Sequence, residues 1–106
     1  MILTIDTTEP KKVVVGLKSR HSKIDELVEE QKQGSQVLMP MIDRILKKNK
    51  IIIDDIKGIE VNAGPGSFTG TRVGVAVANA LAFALGIKVN GKKDIVLPIY
   101  EKSKFD

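Results

Sequence analysis

The sequence contains no cysteine and no tryptophan, a single histidine, His21, and only 4% aromatic residues. Without cysteine there is no disulfide framework, no zinc-cysteine site and no thiol nucleophile. One histidine excludes a multi-histidine metal site and a pair of histidines in catalysis. Long apolar runs are missing as well. The longest low-charge stretch, Val73 to Ile87, is shorter than the ~20 residues a spanning helix needs and is interrupted by Asn79. Nor does charge of one sign dominate: seventeen Lys and Arg against thirteen Asp and Glu leave +4. That balance tolerates an anionic partner but falls short of a dedicated nucleic-acid binder. There is no internal repeat, no low-complexity tract and no linker long enough to divide domains.

What remains is a chain of 106 residues, enough for one domain with a core of its own. The opening Met1-Ile2-Leu3-Thr4-Ile5-Asp6 lacks the basic leader of a signal peptide and reads as a strand, so a cytoplasmic protein is expected. Ile2 to Thr7 and Val13 to Leu17 are short β-branched runs joined by the polar Glu9-Pro10-Lys11-Lys12, which suits a hairpin. Ile24 to Gln31 places Ile24, Leu27 and Val28 at helical spacing, yet it also fits a third hairpin strand with an exposed acidic face; the strand is the reading taken.

From Ser35 onward Leu38, Met41, Ile42, Ile45 and Leu46 recur every three or four residues, and Lys47, Lys48 and Lys50 close the segment where a helix dipole favours cations. The pattern predicts an amphipathic helix with Pro40 near its first turn, where a missing N–H costs least. Its stripe is wide enough for two surfaces, one edge on a sheet and the other, Val37, Met41 and Ile45, on a partner. Asp54-Asp55 suggests a turn, and Gly58 to Asn62 an alternating strand. A second helix is predicted from near Ser67 to Leu85, ending at Gly86, followed by a short strand at Ile87 to Val89. Ile95 to Tyr100 reads as extended, with Pro98 confining it to an edge or a bulge.

Gly64-Pro65-Gly66-Ser67-Phe68-Thr69-Gly70 joins a strand to the second helix. Such a turn can face an anion with its N–H groups, but it lacks the Lys and Ser/Thr of a Walker loop and the spacing of a dinucleotide fingerprint. The plainer reading is a tight turn with Ser67 or Thr69 as N-cap. Within the helix Gly66, Gly70, Gly74, Ala78, Ala82 and Gly86 fall four apart, a row of small residues that lets another backbone approach. The next row, Val73, Val77, Leu81 and Leu85, makes the helix apolar nearly all round, and a partner subunit is a natural source of cover. Gly70, Gly74 and Val77 therefore join the candidate interface.

The stretch Gly64-Pro-Gly-Ser-Phe-Thr-Gly-Thr-Arg-Val-Gly74 resembles the signature of the bacterial TsaB (YeaZ) family, the pseudoenzyme subunit of the tRNA threonylcarbamoyladenosine machinery. Ile5-Asp6-Thr7 resembles the family's opening strand, Ser35 to Ile42 its first helix, and Leu97-Pro98-Ile99-Tyr100-Glu101-Lys102 its closing segment. The resemblance implies an α/β, actin-like or ribonuclease-H-type lobe: a mixed sheet with an antiparallel three-strand edge and two main helices. Residues 1–106 would form a single first lobe, with 95–102 similar to the C-terminal segment and the family's second lobe absent, since Val89 reaches Ile95 directly. Gly34 stands where the family commonly has a histidine.

By the same resemblance, a non-catalytic partner of a TsaD-like catalytic subunit is expected, binding through its two helices. A TsaE-like ATPase would be reached through the complex, tRNA only indirectly, and a homodimer would form when the chain is alone. Catalytic residues, metal and cofactor are not expected in this chain, because ATP in the superfamily sits between two lobes and Asp6-Thr7-Thr8 lacks the glycine of a first phosphate loop. The rival reading is a metal-dependent peptidase or ATP-hydrolysing enzyme of the same superfamily; a third is a homodimer with a different partner. Asp6 reads as a strand-end cap or a metal-associated carboxylate, His21 as surface, and Arg72 as an exposed arginine or the partner of a carboxylate. The lysines at 11–12, 47–50, 88 and 92–93 read as solvated faces without interleaved aromatics to stack a base.

Overall fold

The computed structural model describes residues 1–30, 37–66, 68–93 and 95–99. The predicted helix start at Ser35, a Ser67 cap and the end of the closing segment, Tyr100 to Lys102, lie outside these residues. The elements run β1 (Ile2–Asp6), β2 (Lys12–Lys18), β3 (Lys23–Glu30), α1 (Leu38–Lys48), β4 (Gly58–Val61), α2 (Phe68–Leu85) and β5 (Lys88–Val89), with a 3-10 turn at Ile53–Asp55. They form one sheet in the order β3-β2-β1-β4-β5. β2 is antiparallel to both of its neighbours, β1 and β3, whereas β4 is parallel to both β1 and β5. The mixed sheet with a three-strand antiparallel edge is therefore the observed architecture, and Lys23–Glu30 is a strand.

Strand alternation sends Leu3 and Ile5 of β1, Val13, Val15 and Leu17 of β2, and Ile59 and Val61 of β4 to one face, where all are buried. α1 covers β2 and β3 on that face, and α2 covers β1, β4 and β5. α1 contributes Leu38, Met41, Ile42, Ile45 and Leu46, all buried, as the helical spacing predicts. Pro40 occupies the first turn, and Lys47 and Lys48 the last. The Asn49 side chain then caps the Ile45 carbonyl at 2.8 Å.

α2 ends as its glycine dictates. Gly86 adopts φ +67°, its N–H donates to the Phe83 carbonyl at 3.3 Å, and the Ile87 N–H donates to the Ala82 carbonyl at 3.0 Å. This pair of bonds is the Schellman arrangement, which satisfies carbonyls the helix leaves open.

Two expectations are corrected. Met41 and Ile45, assigned to a partner surface, are fully buried in the chain's own core, because an 11-residue helix lying flat on two strands directs its whole stripe inward. Only Val37, half-buried, stays at the core's margin. The segment 95–99, expected at a sheet edge or bulge, adds no strand. It runs as a strap: the Asn79 amide donates to the Val96 carbonyl at 2.8 Å and its oxygen accepts from the Val96 N–H at 3.0 Å. The Ile99 N–H donates to the Ala63 carbonyl. Asn79 thus takes the place of a neighbouring strand for this segment.

Candidate functional site

The glycine-rich turn is built between the end of β1 and the start of α2. Gly64 sits at φ +112°, where an L side chain is strained, and the Gly64-Pro65 bond is cis. Next to it, the Thr7 hydroxyl donates to the Gly70 carbonyl at 2.5 Å across the β1–α2 boundary. Gly74 lies against the same threonine, so a Cβ there would overlap Thr7 Oγ1. A Cβ on Gly66 would press on Thr8 and come within 2.9 Å of Thr71 Oγ1. Gly66, Gly70, Gly74, Ala78 and Ala82 are all buried.

The row of small residues is therefore the seat of the chain's own β1, and Gly70 and Gly74 are corrected from interface to core. Close approach is what the spacing implied; the neighbour is Thr7 and Thr8 rather than a second subunit. Thr71 is fully buried, and among the described residues its hydroxyl finds no hydrogen-bond partner.

Asp6 ties this turn to the β1–β2 connection. Its carboxylate accepts from the Thr8 N–H at 3.0 Å, the Thr8 hydroxyl at 2.7 Å and the Asn62 amide at 3.1 Å. Asn62 in turn accepts from the Gly64 N–H at 3.0 Å. Partial burial pushes the Asp6 pKa up, but the hydrogen bonds from Thr8 and Asn62, helped by the Lys12 charge, outweigh it and hold the carboxyl below its ordinary range. Asp6 is thus a strand-end cap. Among the described residues no group of three or more His, Cys, Asp or Glu is placed to hold a metal ion.

The other singled-out residues lie apart. His21 is exposed in the β2–β3 turn beside the Ser19–Ser22 hydrogen bonds, and Arg72 is exposed on α2. The lysines are exposed at three separate places, the β1–β2 turn, the end of α1 and the region of β5; Lys47 pairs with Asp43 at 2.9 Å and Lys48 with Asp25 at 3.3 Å.

What the molecule shows to solvent is the opposite side of α2. Ala76, Ala80 and Ala84 are exposed, Phe83 is 90% exposed, and Val73, Val77 and Leu81 are half-buried at the margin. No charged residue occurs from Val73 to Ile87. A surface this free of charge around a fully presented aromatic ring is the candidate binding face of the described residues. Val77 keeps its candidate role, and Phe83 is the residue that sequence reasoning missed. Its signal was present: on a helical wheel Phe83, Ala76, Ala80 and Ala84 fall opposite the buried Ala78 and Ala82. Among the described residues no helix is long and apolar enough to cross a membrane.

Residues 26–95 match the family model described as "TsaD: tRNA N6-adenosine threonylcarbamoyltransferase". The chain is 35% identical over 89 residues to the tRNA threonylcarbamoyladenosine biosynthesis protein TsaB of Haemophilus influenzae, covering 83% of this chain and 37% of that protein. It is 33% identical over 90 residues to the protein of the same description from Bacillus subtilis, covering 84% and 39%. Among solved structures it superimposes on YeaZ from Pseudomonas aeruginosa with a TM-score of 0.74 and 30% identity, over 83% of this chain and 42% of that one. The chain thus spans about two fifths of the length of these relatives. The family model, the curated relatives and the solved structure agree, and the chain belongs to the TsaD-type family as a TsaB (YeaZ) member.

Proposed function

We propose that this chain is a non-catalytic partner of a TsaD-type catalytic subunit in the formation of threonylcarbamoyladenosine on tRNA. The observation that carries the reading is the outer face of α2 beyond Arg72, uncharged from Val73 to Leu85, with Phe83 90% exposed near its end. Support for a non-catalytic role comes from the glycine turn. The Thr7 hydroxyl is spent on Gly70, the Asp6 carboxylate on Thr8 and Asn62, and Gly74 is closed over by Thr7, so these groups act as joints of the fold.

In this reading residues 1–106 act as a unit equivalent to the family's first lobe, and the partner lies along α2 with Val77 and the margin residue Val37. The same face pairs two copies when the chain is alone. A TsaE-like ATPase is reached through the complex, tRNA is contacted only indirectly, and the setting is the cytoplasm. Reconstitution tests it. The chain, the TsaD-type subunit from the same genome and unmodified tRNA are combined with threonylcarbamoyl donor, and the modified nucleoside is measured by mass spectrometry. The chain raises product formation by the TsaD-type subunit and makes none alone; product from the chain alone, or no effect of adding it, would contradict the proposal.

A further inference from the structure

A second surface lies at the far edge of the sheet, away from α2. β3 is the last strand, and no described residue pairs with its outer edge. The ladder to β2 is regular from Asp25 to Glu30; at its start the register shifts so that Lys18 faces Lys23 and Ile24 is passed over. Side chains of α1 and its C-cap reach the strand. From α1, Arg44 pairs with Glu29 at 2.8 Å, and Asp25 receives the Asn49 amide at 2.9 Å and the Lys48 ammonium at 3.3 Å. On the face away from the helices Ile24, Glu26, Val28 and Glu30 alternate, all exposed, with Val28 at 56%. The contact of Glu26 there is with its exposed neighbour Lys23, at 3.2 Å.

A strand whose outer edge no described residue pairs is a template for another strand. A second β3 is a poor match. Every same-face two-fold register that overlaps five or more residues of Lys23–Glu30 with themselves sets at least one acidic pair directly opposite, Asp25 on Glu29 or Glu26 on Glu26 among them, and like charges opposite one another repel. The inner edge shows what does fit. β2, Lys-Val-Val-Val-Gly-Leu-Lys, sets Lys12 opposite Glu30 and Val14 opposite Val28. We propose that the outer edge of β3 is a docking site for an extended segment of another protein that alternates lysine with β-branched apolar residues, adding as a sixth strand.

The probe is a capped peptide with the sequence of Pro10 to Ser19, titrated into isotope-labelled full chain and followed by nuclear magnetic resonance. The proposal expects amide shifts and slowed exchange confined to Asp25–Glu30, with binding that weakens as salt is raised. Glu26→Lys with Glu30→Lys reduces affinity about tenfold, since the attractive Lys12–Glu30 pair becomes repulsive and the change at Glu26, which faces Gly16 in this register, turns a second negative charge of the edge positive. Glu9→Lys, exposed outside β3, leaves affinity unchanged. A peptide carrying Glu in place of its lysines fails to bind the unaltered chain, which tests the charge match even if the double variant does not fold. Absence of shifts in β3, shifts centred on α2 or spread through the core by displacement of β2, or equal binding of the two peptides would overturn the proposal.

Discussion

The hydroxyl of Thr7, the first residue after β1, fills the space that a side chain on Gly74 would need. This contact sets how closely the start of α2 approaches the end of β1. In a solvated helix Gly→Ala gains about 1 kcal/mol. Here Gly74→Ala reverses sign and costs about 1–3 kcal/mol through overpacking against Thr7. The loss is read as a lower melting temperature, roughly 4 °C per kcal/mol for a domain of this size. In a Thr7→Ala background the same substitution costs less, and the double-mutant cycle measures the coupling.

The stripe of α1 gives the next contrast. Met41 is fully buried, so Met41→Glu places a carboxylate in a dry core and costs several kcal/mol, abolishing the native circular dichroism signal. Met39 is half exposed two residues earlier, and Met39→Glu leaves the unfolding free energy within about 0.5 kcal/mol of the original. If Met41→Glu remained folded, the placement of α1 on β2 and β3 would be wrong.

These two helices show where sequence is legible. Period-two burial in β1 and β2, the helical stripe of α1, the αL stop at Gly86 and the acidic third strand are all local patterns, and each reappears in the fold. Which neighbour a surface meets is not local. The four-spaced row from Gly66 to Ala82 announces a close approach without saying whether Thr7 or another chain makes it. The width of the α1 stripe likewise does not reveal that the sheet takes all of it. Asn79 and Val96 are seventeen residues apart and give no periodic signal, so the segment reads from sequence only as extended, at an edge or a bulge.

Asp6 predicts a pH response. Its pKa is held down in the folded chain, so the folded state binds the proton less readily than the unfolded one. The stabilisation is therefore complete above the ordinary carboxylate value near 3.8 and is lost as pH falls through the lower folded value. Asp6→Asn lowers the melting temperature at neutral pH and flattens its decline below about pH 4, a difference visible in paired thermal scans.

Nucleotide binding is a separate test of the glycine turn. Since Thr7, Asp6 and Gly74 are occupied with one another's neighbours, calorimetric titration with magnesium-ATP gives no saturable site in the low micromolar range. A saturable, magnesium-dependent isotherm would return the turn to the class of phosphate loops.

The partner face of α2 is tested most directly by the affinity of this chain for the TsaD-type subunit of the same genome, measured by sedimentation velocity with and without Ala80→Arg. Ala80 is exposed and arginine is a good helix former, so the variant keeps the melting temperature of the original chain. A bulky charge at the centre of an apolar face costs binding, and the complex of the original chain is predicted to be lost or weakened at least about tenfold in the variant. No complex with the original chain, or equal affinity with Ala80→Arg, would contradict the account.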